Sequence, residues 1–92
     1  MFRKFKGIKL PYNKQGLIYF TCMNAKDMPE DVQSKILNLC IEVGKENYKA
    51  LYALLTDNSK NIHGVAMDYF VSESQLYRIR KKFYEQWGKT FF

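Results

Sequence analysis

The basic side chains of this sequence are concentrated at its two ends. Residues 1–14 contain five Lys and Arg residues and no acid, and residues 78–92 contain five against one acid. Residues 15–77, between them, contain five lysines and eight acids. Because each Lys or Arg near a phosphate releases a counterion, this distribution is typical of a chain that binds a nucleic acid. Lysines that only keep an aromatic-rich chain in solution would explain the net charge of +6 as well.

The residue types that catalysis or metal binding requires are sparse. His63 is the single histidine, and no nucleophile or carboxylate pattern accompanies it, so we expect a structural or surface residue. Cys22 and Cys40 lack the spacing of zinc ligands and stand among apolar neighbours. We interpret them as buried free thiols in a reducing cytosol. The sequence therefore predicts no enzyme, no metal and no cofactor.

Helical patterns follow one another along most of the chain. We expect an all-α fold, a small helical bundle of four to five helices that forms one domain over residues 15–92. Residues 1–14 are expected to form a basic arm that is only partly ordered. Residues 15–25 have strand-like propensities, but we favour a buried first helix because helical segments follow it.

Boundary signals place the next three helices. Pro29 and the acids after it indicate a helix start with Asp27 as the N-cap, and Gly44 indicates its end. A further helix is predicted from about Glu46 to Thr56. Another is predicted over residues 61–70.

The last predicted helix runs from Glu73 to about Trp87, with Ser72 as its N-cap. Leu76, Ile79, Phe83 and Trp87 recur at intervals of three and four, so they form one apolar stripe. Basic residues occupy the remainder of this helix, which makes it amphipathic.

The segment VAMDYFVSESQLYR, residues 65–78, resembles the helix-turn-helix signature of bacterial and phage DNA-binding proteins. Ala66 corresponds to the small residue where the two helices cross, and Val71 to the hydrophobic residue of the turn. The resemblance covers residues 61–87. It extends weakly to the promoter-reading fourth region of bacterial sigma factors.

The resemblance implies roles for individual side chains. It implies base contacts in the major groove from Ser74, Gln75, Tyr77 and Arg78. It implies phosphate contacts from Ser72, Arg80, Lys81 and Lys82. Arm residues Arg3, Lys4 and Lys6 would add a minor-groove contact, as homeodomain arms do. The same segment is also compatible with an αα-hairpin whose basic face is only solvated.

Phe70 departs from the signature. Many such motifs have glycine there, because the backbone often needs a positive φ. Phenylalanine at this position predicts a different turn geometry or a longer first helix.

The function expected from these observations is a sequence-specific, double-stranded DNA-binding protein, a transcriptional regulator of a phage or mobile element. Two alternatives are an excisionase-like accessory factor and a protein-interaction module that binds an acidic partner. The sequence leaves open a recombinase or RNA polymerase as partner, and a homodimer formed through Glu46–Thr56 or through Trp87, Phe91 and Phe92. No signal peptide or membrane span is visible, so a cytoplasmic location is expected.

Overall fold

Five α-helices make up most of residues 4–91, the part of the chain that this computed structural model describes. They are α1 (Tyr12–Met23), α2 (Glu30–Gly44), α3 (Tyr48–Thr56), α4 (Ile62–Tyr69) and α5 (Glu73–Phe91). Short 3-10 turns, Ala25–Asp27 and Lys45–Asn47, join α1 to α2 and α2 to α3. No strand occurs between residues 4 and 91, so the prediction of an all-α fold is confirmed.

Helix α5 is the centre of the molecule, because it packs against each of the other four helices. The four members of the predicted apolar stripe are all buried: Leu76, Ile79, Phe83 and Trp87. Tyr84 is buried beside them, and Phe83 and Trp87 are in ring contact at 5.6 Å. The stripe faces inward because a helix stabilises a small domain mainly by burying one apolar face. The opposite face of α5 stays in solvent.

The first helix is confirmed as a helix, but its predicted bounds are corrected. It begins at Tyr12 and ends at Met23, so residues 12–14 belong to α1 and not to the arm. Ile18 and Cys22, one helical turn apart, are fully buried on its inner face. Burial of this face outweighs the strand propensity of the segment.

The predicted end of α2 at Gly44 is confirmed, and its predicted N-cap is corrected. Pro29 and not Asp27 occupies the N-cap position, and Asp27 lies in the preceding 3-10 turn. Gly44 is the last helical residue, and the left-handed backbone falls on Lys45, with φ of 50°. A Cβ at Gly44 would make an ordinary contact, 3.5 Å from the Cβ of Tyr48.

Helix α3 starts at Tyr48, two residues later than predicted, and its apolar side chains belong to the core. Leu51, Leu54 and Leu55 are buried, and Tyr48 and Tyr52 pack against the core. Trp87 is 8% exposed. The apolar side chains of α3 and Trp87, which the sequence suggested for a homodimer, are therefore largely used inside the monomer, whereas Phe91 is exposed. Phe92 lies outside the described residues.

None of the helices within residues 4–91 has both the length and the apolar character that a membrane crossing requires.

Candidate nucleic-acid interface

Helices α4 and α5 are joined by three residues, and a side chain caps the start of each helix. The Asn61 side chain accepts a hydrogen bond from the Gly64 N–H at 2.8 Å. Ser72 Oγ accepts one from the Gln75 N–H at 3.1 Å, which confirms Ser72 as the N-cap of α5. His63 Nδ1 lies 3.0 Å from Glu73 Oε2, so it ties the first turn of α4 to the first turn of α5.

Phe70 adopts the left-handed backbone conformation that ends α4. Its φ and ψ are 56° and 43°, and the N–H groups of Phe70 and Val71 both donate to the carbonyl of Ala66. This is the Schellman-type ending that usually carries glycine. The expectation of a different turn geometry or a longer helix was therefore wrong, because the backbone adopts the usual geometry with a phenylalanine in it. The Phe70 side chain is 95% exposed.

Four residues implied as DNA contacts form a continuous exposed strip on α5. They are Ser74, Tyr77, Arg78 and Lys81, all exposed, and they are spaced as neighbours on one helix face. We call this set the α5 strip. It contains two cations and two hydroxyl groups and no carboxylate. It begins in the first turn of the helix, so the positive end of the helix dipole adds to its attraction for anions.

Gln75, Lys82 and Arg80 lie to the two sides of the α5 strip. Gln75 is partly buried, and its Oε1 accepts a hydrogen bond from Arg78 Nη1 at 3.0 Å. Lys82 is exposed and lies near Glu42 and Glu85, in a surface hollow of mixed charge. Arg80 is on the other side, half-buried against aromatic rings. The structure therefore distributes the seven α5 side chains that were implied as DNA contacts over the strip and its two sides.

The N-terminal segment, residues 4–11, is fastened to the bundle by one buried polar side chain. Gln15 is fully buried, and its Oε1 accepts the N–H of Phe5 at 2.9 Å. Its Nε2 donates to the carbonyls of Ile8 and Leu10, at 3.4 and 3.0 Å. A single amide thus satisfies three backbone groups of a segment that has no regular structure.

The same segment packs along α5. The Phe5 ring meets Tyr84 edge-on at 5.3 Å, and the Lys9 N–H donates to Glu85 Oε2 at 3.2 Å. Gly88 allows Leu10 to approach, since a Cβ there would lie 2.7 Å from a Leu10 methyl group. Residues 5–10 are therefore part of the folded domain, while the side chains of Lys4 and Lys6 are exposed. Arg3 lies outside the described residues.

A cleft lies between residues 5–8 of the N-terminal segment and residues 77–81 of α5. Phe5, Ile8 and Tyr77 supply its apolar part, and Lys6, Arg78, Arg80 and Lys81 supply its cationic part. We call it the arm cleft; its volume is about 220 Å³. It brings together residues that are far apart in the sequence, since Lys6 lines the same cleft as Arg78 and Lys81.

The two cysteine thiols are buried in the core. Burial raises the pKa of Cys22 to about 12 and also raises that of Cys40, so both thiols are protonated and inert at neutral pH. Both are free, as predicted. Within residues 4–91 no cluster of three metal-ligating side chains occurs.

The sequence interpretation did not identify Phe5 and Gln15, which place the N-terminal segment beside α5. A signal for Gln15 was present, because Gln15, Ile18 and Cys22 are spaced on one helix face and the other two are apolar. Nothing in the sequence indicated the partners of Phe5.

No protein-family model, curated protein or solved structure matches this chain.

Proposed function

We propose that this chain is a sequence-specific, double-stranded DNA-binding protein in which α4, residues 70–72 and α5 act as a helix-turn-helix. The observation that carries the proposal is the α5 strip. It is a row of exposed hydroxyl and cationic side chains without a carboxylate, and it starts at a capped helix N-terminus. A helix of this kind fits the major groove and presents its first turns to base edges.

The side chains of the α5 strip are suited to different contacts with the duplex. Arg78 is suited to the two acceptors of guanine, and its hydrogen bond to Gln75 restricts its orientation. Ser74 and Tyr77 lie one turn apart on the same face and offer hydroxyl groups to bases or phosphates. Gln75, implied as an adenine reader, is better placed to support Arg78 than to reach a base itself.

The biological role proposed is transcriptional regulation for a phage or mobile element, in the cytoplasm. RNA polymerase would be the partner of such a regulator. An excisionase-like factor for a recombinase would use the same surface. A single palindromic site favours the regulator, whereas clustered sites at the end of an element favour the accessory factor.

A protein-interaction module is the second candidate function, and the surface beside α4 favours it. Phe70 and Met67 are 95% and 64% exposed, and Tyr69 is 39% exposed. Highly exposed apolar side chains such as Phe70 and Met67 are more common at protein interfaces than elsewhere on a surface. In that case the basic surface would bind an acidic protein instead of DNA.

Selection from a pool of random duplexes, with sequencing at two salt concentrations, distinguishes these functions. Base readout predicts a defined motif that remains enriched at the higher salt, because phosphate contacts weaken with salt more than base contacts do. Weak binding with no enriched motif, lost at the higher salt, would contradict the proposal. It would direct the search to a protein partner.

A further inference from the structure

The arm cleft has an unusual charge composition. Four of its lining side chains are cationic, Lys6, Arg78, Arg80 and Lys81, and none is acidic. Like charges that share a cleft repel each other unless an anion lies between them. By contrast, the Lys60 ammonium has the Asp68 carboxylate as its ion-pair partner. No acidic side chain lines the arm cleft to compensate its four cations in this way.

Arg80 is the cation of the cleft that most clearly lacks an acidic partner. Its Cζ lies 3.9 Å from the Phe5 ring centroid and 5.2 Å from that of Tyr77, so the guanidinium is held between two rings. No ion pair between Arg80 and a carboxylate occurs in residues 4–91. Burial lowers the pKa of Arg80, yet a guanidinium stays charged at neutral pH. A partly buried cation normally has an anionic partner, because desolvation without one is costly.

We propose that the arm cleft is a binding site for a phosphate group, held by Arg80 with Lys6 and Lys81. The planar donors of Arg80 are fixed by the two aromatic rings, as suits the geometry of phosphate oxygens. The volume of about 220 Å³ exceeds the roughly 30 Å³ that one water molecule occupies in the liquid, so a phosphate and its waters can enter.

The occupant, if the proposed function holds, is a backbone phosphate of the duplex whose bases the α5 strip reads. Tyr77, Arg78 and Lys81 belong to both the strip and the cleft. A phosphate next to the bases would therefore reach the cleft while the start of α5 lies in the groove. The N-terminal segment would then bind DNA on the major-groove side, through Lys6, and help to set the register.

The first experiment measures duplex affinity by fluorescence anisotropy across a salt series, for the wild type and for K6Q and K49Q. Lys6 lines the cleft, whereas Lys49 is exposed on α3 and serves as the charge-matched control. Loss of one phosphate contact lowers the slope of log K against log salt by about 0.9. We expect this loss in K6Q and an unchanged slope in K49Q. R80K, which keeps the charge but loses the planar group, should weaken binding without unfolding the domain.

The second experiment tests the cleft without DNA, by titrating inorganic phosphate and a mononucleotide while following backbone amide signals. Saturable shifts at residues 5–8 and 77–81, reduced in K6Q, would support the site with a small phosphate compound as its source. A changed salt slope in K6Q would support it with the duplex as its source. If K6Q leaves the slope unchanged and neither phosphate compound shifts these amides, the proposal is overturned. If the wild type binds no duplex, the proposed function fails and the titration alone decides about the cleft.

Discussion

The guanidinium carbon of Arg80 lies 3.9 Å from the ring centroid of Phe5, which joins the N-terminal segment to the middle of α5. Arginine over an aromatic face is a favourable pair, stronger when water is partly excluded, as it is here. The backbone N–H of Phe5 in turn donates a hydrogen bond to Gln15 Oε1. Basic residues from the two ends of the sequence, Lys6 with Arg78, Arg80 and Lys81, therefore line one cleft, although the sequence suggested two separate contacts.

Gln15 is expected to be the main attachment of the N-terminal segment. Q15M keeps the volume and removes all three hydrogen bonds, so we expect a loss of about 2 kcal/mol in the free energy of unfolding. Hydrogen exchange at the Phe5 amide should accelerate in Q15M, because that N–H loses its acceptor. Q86M is the control, since Gln86 bonds only the exposed Thr90 hydroxyl. Equal stability of the two variants would contradict this role.

Phe70 is expected to be strained. A left-handed backbone costs roughly 1–2 kcal/mol for an ordinary residue and nothing for glycine, although glycine gains freedom in the unfolded chain. We expect F70G to raise the free energy of unfolding by about 1 kcal/mol, because the lost ring is 95% exposed and packs on little. F70A keeps its Cβ and should stay within about 0.5 kcal/mol of the wild type. Urea denaturation measures the free energy of unfolding of both variants. A destabilised F70G would contradict backbone strain at Phe70.

Ser72 and Ser74, at the start of α5, allow the same substitution at a capping and at a non-capping serine. S72A removes the N-cap and should lower the free energy of unfolding by about 1 kcal/mol. S74A, on the exposed strip, should change stability by less than about 0.5 kcal/mol and should weaken duplex binding. Thermal unfolding and anisotropy separate the two effects. Ser74 is not a DNA contact if S74A leaves the affinity for the selected duplex unchanged.

Arg78 and Lys82 should affect DNA binding in different ways. R78A removes a proposed base contact and should cost about 1–3 kcal/mol on the selected site, with relaxed specificity there. K82A should weaken all sequences similarly and lower the salt slope by about 1, as expected for a phosphate contact. If R78A binds specific and random duplexes as the wild type does, α5 does not read bases.

The helices could be predicted because their signals are local. The spacing of Leu76 and Ile79 and the cap at Ser72 depend on neighbours within one or two turns. The positive φ of Lys45 and Phe70 was not predicted, because neither residue type usually adopts this conformation. The arm cleft could not be predicted either, because contacts such as Phe5–Arg80 join residues far apart in sequence and carry no periodic signal.

The central claim is that the α5 strip and the N-terminal segment together face a duplex. The measurement that tests it most directly is the change in backbone amide signals when a short duplex is titrated into the protein. We predict that shifts concentrate at residues 72–82 and 5–9 and are absent from the exposed side of α2 and from Lys49 on α3. Shifts centred on α2 or α3, or no shifts at low salt, would contradict the claim.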